Sequence, residues 1–227
     1  MNGDGPFGVP KPAMQKEAIV KLILGVRGCG KTVKLFSLMR SVNRSLTINT
    51  LNRSGFTDGV VFHTVPDLKS FWLAIYQHDF RLIFSPRHGD IEKTCVEIGQ
   101  LCKLAQVCGN MTIAIEELNV VFAAQRKPVE FNELVFSGRE PGIELIGVAQ
   151  RPKGFGPELS SQAKEAFIFH THEPDALTFL RNWMGKDAAE AVRTLDGHQY
   201  LHWAYKDGAT NYTIETDELL PDMRQGM

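Results

Sequence analysis

The chain has 227 residues, of which 43% are hydrophobic and 22% charged, enough for one sizeable buried core in an ordinary soluble globular protein. Its apolar runs, such as "LILGV", fall far short of the roughly 18 residues of a membrane span. The start, "MNGDGPFGVPKPAM", lacks the basic-then-apolar order of a signal peptide, so an intracellular setting is expected.

Residues 1–15 are rich in Gly and Pro without periodicity and read as an extended arm. The main domain is expected over residues 16–215, with residues 216–227 as a tail. "AIVKLILG" (18–25) has the continuous apolar character of a buried strand, and "KTVKLFSLMRSV" continues as a helix with Leu35, Leu38, Met39 and Val42 on one side. Next come "SLTINT" as a strand, "VPDLKSFWLAIYQ" as a helix with Asp67 near its start, and "RLIFS" as a short strand. "DIEKTCVEIGQLCKLAQVCG" reads as a long amphipathic helix stopped by Gly109. "MTIAIEE" (strand), "FNELVFSGRE" (helix), "IELIGVAQ" and "EAFIFHT" (strands) follow. The chain closes with helices around 174–184 and 186–194 and a hairpin from "QYLHWAY" and "TNYTIE". Strands alternating with helices, the inner strands apolar throughout, predict an α/β fold: a three-layer domain with a mostly parallel central sheet and a small C-terminal hairpin.

The net charge of −1 combines 14 Lys and Arg against 8 Asp and Glu in residues 1–113 with 11 against 18 in residues 114–227. The basic run Lys11, Lys16, Lys21, Arg27, Lys31, Lys34, Arg40, Arg44 and Arg53 would form a polyanion-binding face if the fold gathered it, and would otherwise be solvated charge. Cys29, Cys95, Cys102 and Cys108 have no C-x-x-C spacing, and three fall on one helix, so they read as core thiols. His170, His172, His198 and His202 have no Cys or carboxylate at ligand spacing, and no metal is expected beyond one carried by a nucleotide.

Gly25-x-x-x-x-Gly30-Lys31-Thr32 lies between the first strand and the first helix, the context a phosphate-binding loop requires. Glycines let backbone N–H groups turn inward around a phosphate, and the helix N-terminus adds partial positive charge. Gly25, Val26, Arg27, Gly28, Cys29, Gly30, Lys31, Thr32 and Val33 are therefore expected to bind ATP, with Lys31 on the terminal phosphates and the Thr32 hydroxyl on Mg2+. A glycine turn that merely links strand to helix is the plainer alternative. Cys29 is the odd residue of the loop and predicts thiol-sensitive activity.

Hydrolysis needs carboxylates, and "MTIAIEELN" supplies two at a strand end. Being adjacent, Glu116 and Glu117 are expected to face different ways, Glu116 holding the magnesium and Glu117 orienting or deprotonating the attacking water. They could instead open a solvated loop. The strand in "SGREPGIELIGVAQRP" ends on Gln150, a neutral group suited to sensing a γ-phosphate. Arg139, before that strand, is placed to enter a neighbour's pocket as a trans-acting finger, or else makes a surface ion pair.

These pieces together resemble the FtsK-HerA superfamily of ring-forming DNA-pumping ATPases. With the closing segment "ELSSQAKEAFIFHTHEPDALTFL", residues 18–185 are most similar to the genome-packaging ATPases of tailless, membrane-containing icosahedral phages of the tectivirus type. The resemblance implies a P-loop NTPase fold of the RecA/ASCE kind and ATP-driven translocation of double-stranded DNA into a preformed capsid. It also implies a hexameric ring, capsid or membrane vertex proteins as partners, and location at the virion's packaging vertex and in the host cytoplasm. The chain itself is not expected to span a membrane. Two positions depart from the pattern: Glu116 stands where an aspartate is usual, and Ala149 where a threonine often precedes Gln-Arg-Pro. The rivals are a filamentous-phage assembly ATPase, a small P-loop kinase or GTPase, and a nucleotide-binding vertex protein with little turnover. No N-K-x-D guanine-reading motif is present, and the paired acids are a hydrolytic arrangement. For DNA contact the basic loop residues Arg126 and Lys127 are nominated, with plain solvated charge as the alternative.

Overall fold

A computed structural model describes residues 19–119, 127–151, 157–206 and 208–216. The expected arm and nearly all of the expected tail lie outside these residues. The elements run in order β1 (Val20–Leu24), α1 (Lys31–Met39), β2 (Arg44–Ile48), β3 (Val60–Phe62), α2 (Val65–Ile75), β4 (Phe80–Phe84), α3 (Ile91–Cys108), β5 (Met111–Ile115), α4 (Val129–Ser137), β6 (Ile143–Ala149), α5 (Pro157–Gln162), β7 (Ala163–Phe169), α6 (Pro174–Met184), α7 (Lys186–Thr194), β8 (Gln199–Lys206) and β9 (Ala209–Thr216).

Local chemistry sets most boundaries. Thr64 caps α2 by accepting from the Asp67 backbone N–H at 3.3 Å, and Asp90 caps α3 by accepting from that of Lys93 at 3.1 Å. Gly109, at φ 67°, ends α3 in a left-handed turn that a side chain would resist. Two elements were not expected from sequence, β3 and α5. Each is too short to show a period; β3 exists through its parallel pairing with β4.

All nine strands form one sheet in the order β3-β4-β2-β5-β6-β1-β7-β8-β9. The first seven in that order are parallel and the last two antiparallel, which confirms the three-layer α/β reading and the terminal hairpin. β6 lies between β1 and β5, so the carboxyl end of β6 separates the loop after β1 from the acids after β5. That edge of a parallel sheet is where ligands of such folds bind.

The two helical layers are unequal. Leu22, Leu24, Ile113, Leu145 and Ile168 pack beneath α2, α3, α4, α6 and α7 through Trp72, Ile98, Phe131, Leu180 and Val192. On the opposite face, among the described residues, α1 and Phe56 cover Ile23, Ile83, Ala114, Ile146 and Phe167. The inner strands are not apolar throughout on this second face. Lys21 pairs with Glu144 at 3.0 Å and Glu165 at 3.6 Å, and Thr112 donates to Glu144 at 2.8 Å. Among the described residues, no helix is long and apolar enough to cross a membrane.

Among the described residues the basic run divides: Arg27, Lys31 and Arg53 wall one cavity, and Lys21, Lys34 and Arg44 are turned to other partners. Lys21 is spent on the two glutamates just named, and Lys34 is buried, donating to the Tyr200 hydroxyl at 2.6 Å. Arg44 is buried and donates to the backbone carbonyls of Asn110, Tyr76 and His78. Once a charge is buried it must be paired, and each of these side chains is committed inward. Lys11 and Lys16 lie outside the described residues.

Candidate functional site

The loop between β1 and α1 owes its shape to glycine. Gly28 and Gly30 adopt φ 80° and 109°, the left-handed region where other residues are strained. At Gly25 a Cβ would lie 2.7 Å from the Phe169 Cβ. The loop therefore needs a bare backbone at Gly25 for packing and at Gly28 and Gly30 for conformation. It closes on the N-terminus of α1 at Lys31, so Thr32 and Val33 belong to the first turn.

Lys31 is 8% exposed and its Nζ donates to the carbonyls of Gly25 at 2.8 Å and Val26 at 2.7 Å. Burial depresses its pKa, against the pull of Cys29, Glu117 and Glu116, while Arg53 adds to the depression. An ammonium held over carbonyls in an anion-shaped loop is charge in search of an anion. Cys29 is buried under the loop, with its Sγ 3.9 Å from that Nζ, and burial pushes its thiol pKa up. The expected thiol sensitivity is therefore not supported: the sulfur is packed and kept protonated.

Glu116 and Glu117 follow the last residue of β5 and are 1% and 5% exposed. Contrary to the expectation that adjacent residues diverge, both meet one guanidinium: Arg53 Nη1 lies 2.8 Å from Glu116 Oε1 and Arg53 Nη2 lies 3.9 Å from Glu117 Oε2. The alternation of the pleat stops at Ile115, and beyond the strand successive side chains can converge. Gln150, just past β6, donates from Nε2 to Glu117 Oε2 at 2.9 Å. Burial, and then the neighbouring Glu117, push the Glu116 pKa up, while Arg53 and Lys31 pull it down.

A cavity of ≈ 190 Å³ opens over the loop, walled by Gly28, Gly30, Lys31, Thr32 and Val33 with Arg27, Arg53, Gln150 and His198. The two carboxylates stand directly behind Arg53 and Gln150. Glu116 Oε2 and Glu117 Oε1 are buried without a hydrogen-bond partner among the described residues. Buried carboxylate oxygens without a partner, together with the Thr32 hydroxyl in the cavity wall, are oxygen donors of the kind that suits Mg2+.

The structure thus brings Arg27, Gly28, Gly30, Lys31, Thr32, Val33 and Gln150 to one cavity, with Glu116 and Glu117 reached through Arg53 and Gln150. Arg139 is not among them: it is exposed in the turn before β6. The seven residues of β6, about 23 Å at roughly 3.3 Å per residue, separate it from Gln150 and its own cavity. Lys127 is not in the cavity wall and pairs with Glu158 at 3.4 Å, and Arg126 lies outside the described residues.

Two lining residues were missed. Arg53 had been grouped with the basic run, and only the adjacency of β2 to β5 brings it to the acids. His198, considered only as a metal ligand, comes from the turn before β8, with Nδ1 3.4 Å from the Cys29 carbonyl oxygen. No local pattern could have found either, since both arrive by strand pairing across more than the reach of a motif.

No protein-family model matches the sequence, and no curated protein does either. Solved structures do. The genome-packaging NTPase B204 of Sulfolobus turreted icosahedral virus 2, in complex with sulfate, is 18% identical with a TM-score of 0.72, over 90% of this chain and 99% of that one. B204 of Sulfolobus turreted icosahedral virus, a DNA-packaging ATPase, is 19% identical with a TM-score of 0.65, over 87% and 98%. The pCW3 conjugation coupling protein TcpA, with ATPγS, is 11% identical with a TM-score of 0.54, over 86% of this chain and 59% of that one. The loop, the paired acids and the β1-β6-β5 arrangement are thus carried on the three-layer P-loop NTPase fold that the B204 packaging NTPases share.

Proposed function

We propose that this protein is an ATPase that drives double-stranded DNA into a viral capsid. The observation that carries this reading is the Gln150–Glu117 contact at the mouth of the phosphate-loop cavity, 2.9 Å long. A kinase or a silent nucleotide sensor has no need of a buried carboxylate held by a neutral side chain on an adjacent strand. A motor that fires on the γ-phosphate does.

In this site the loop backbone and Lys31 bind the phosphates. Thr32 and Glu116 would hold Mg2+, which when bound neutralises phosphate charge and polarises the terminal phosphoryl group. Glu117 accepts a proton from, or orients, the attacking water, and Gln150 holds Glu117 in place and reports the state of the γ-phosphate to β6. The chain-wide similarity to B204 structures with sulfate, AMP, AMPPCP and ATPγS supports nucleotide as the ligand.

We further propose that the chain works as a ring, hexameric by resemblance, located at a packaging vertex and docked on capsid or membrane vertex proteins. Arg139 supports this reading. It is exposed, lies at the sheet edge opposite its own cavity, and so is free to serve a neighbour's. DNA would be gripped through phosphates, with the Arg126 and Lys127 loop as the proposed contact. Lys127 is half-buried and paired with Glu158 at 3.4 Å, so gripping a phosphate would require that pair to open.

The test is ATP turnover by the purified chain with and without double-stranded DNA. Stimulation by DNA is expected. Nucleotide binding with no turnover in either condition would replace the motor with a nucleotide-binding vertex protein.

A further inference from the structure

Resting on the nucleotide reading above, we infer that Arg53 is a positioning residue that exchanges the two carboxylates for the terminal phosphate of the bound nucleotide. The guanidinium is the more exposed partner of its pairs, 37% against 1% for Glu116 and 6% for Glu117. It forms part of the cavity wall beside Lys31, Thr32 and Gln150. With the acids behind it, neither a metal ion nor the attacking water meets both carboxylates until the guanidinium has moved.

The root of the side chain is fixed and its end is not. Asn49, 2% exposed at the carboxyl end of β2, donates from Nδ2 to the Arg53 carbonyl at 2.9 Å. It also accepts from the Arg53 backbone N–H at 2.9 Å. Asn49 is in turn held by Ser85 at 3.3 Å, and Ser85 donates to Asn52 at 2.6 Å. A backbone clamped in this way can swing only its side chain, between acids on one side and cavity on the other.

The contacts to the acids are incomplete, which makes the exchange possible. Both approaches are ion pairs, one close at 2.8 Å and the other loose at 3.9 Å. Among the described residues, Glu116 Oε2 and Glu117 Oε1 receive nothing. A planar guanidinium fits a phosphate's oxygens as a two-pronged donor better than it fits this split pair. A loop of this kind cradles the α- and β-phosphates, so the γ-phosphate would be the group left to meet Arg53 and Gln150, which wall the same cavity. A nucleoside diphosphate offers nothing there. Arg53 then adds to the preference for ATP over ADP beyond what Lys31 and Gln150 supply, and it stands between the acids and the cavity.

The experiment is calorimetric titration of full-length wild type, Arg53→Ala and Arg53→Lys with AMPPCP and with ADP, in Mg2+ and in EDTA. Arg53→Ala is expected to weaken AMPPCP by about tenfold or more, the loss of a charge-assisted contact, and to leave ADP within about twofold. Arg53→Lys should fall between, because a lysine keeps the charge without the fork. In EDTA the AMPPCP preference of the wild type should persist and that of Arg53→Ala should be about tenfold smaller. Equal losses for both nucleotides, or none, would mean that Arg53 only balances the acids and would overturn the inference while leaving the nucleotide site standing. Wild type that binds neither nucleotide would overturn both. If Arg53→Ala does not fold, Arg53→Lys gives the same ratio test.

Discussion

Gln150 on the end of β6 and Glu117 on the end of β5 are 33 residues apart in sequence, and the 2.9 Å hydrogen bond between them ties two neighbouring strands at the phosphate cavity. In the proposed reaction Glu117 activates the water, and the Gln150 amide would aim its carboxylate. Glu117→Gln is expected to lower turnover by about a hundredfold or more while sparing nucleotide binding, as loss of a general base does. Gln150→Ala should cost less alone and almost nothing further in the Glu117→Gln background, because the two act as a unit. Steady-state turnover of the two single variants and the double variant measures this. Strict additivity would dissociate the pair.

Lys31 donates to the loop carbonyls of Gly25 and Val26. Lys31→Ala is expected to weaken nucleotide binding by about ten- to a hundredfold, in line with loss of a charged hydrogen bond of about 1.5–3 kcal/mol. Titration with a fluorescent ATP analogue reads the change, and an unaltered affinity would remove the loop from the site.

Arg139 lies too far from its own cavity to act there. Arg139→Ala and Lys31→Ala are each expected to be inactive alone, and mixing them should restore part of the activity. A Lys31→Ala subunit still offers its arginine to a neighbour whose loop is intact. Activity of the mixture that stays at the level of the separate variants would place Arg139 outside the reaction.

Cys29 is packed beneath the loop and its thiol pKa is raised by burial. Iodoacetamide at neutral pH is expected to leave it unmodified in the native chain and to modify it after denaturation, as mass spectrometry would show. Rapid native alkylation at Cys29 would show that the loop opens readily.

His202 on β8 ties the terminal hairpin to the parallel sheet. It lies 3.6 Å from Glu165 on β7 and 3.1 Å from Glu215 on β9, and stacks on Phe167 with ring centroids 4.6 Å apart. Lys21, Tyr200 and Thr213 complete the charged and hydroxyl groups around the two glutamates. Glu165 and then Glu215 push the His202 pKa above its ordinary 6.5. His202 pulls Glu165 below 4.5, and Thr213 and then His202 do the same for Glu215. The histidine's contribution is full below pH 6.5 and is lost as pH rises through its raised value. The glutamates' contribution is present above pH 4.5 and is lost as pH falls through their lowered values. Hydrogen exchange of the β8 and β9 amides should therefore be slowest, relative to intrinsic rates, between about pH 4.5 and 6.5, and opening should grow above that window. His202→Gln should abolish the dependence at the upper end.

What the sequence determined by itself was local in origin. The glycine-lysine-threonine loop needs only short-range backbone geometry, and Gly25 to Thr32 announce it. The alternation of buried strands with amphipathic helices is likewise a property of neighbouring residues, and so is the position of acids or an amide at a strand's end. The tertiary structure decided what depends on strand order. Only the insertion of β6 between β1 and β5 sets Gln150 against Glu117, and only the β2–β5 pairing delivers Arg53 to both glutamates. Short elements such as β3 and α5 were invisible because their stability comes from the neighbours they pack on. The basic run from Lys21 to Arg53 looked like a surface until burial turned Lys34 and Arg44 inward. Periodicity reports which side of an element is apolar; which elements stand side by side is a sum over the whole core, and the site is made where they meet.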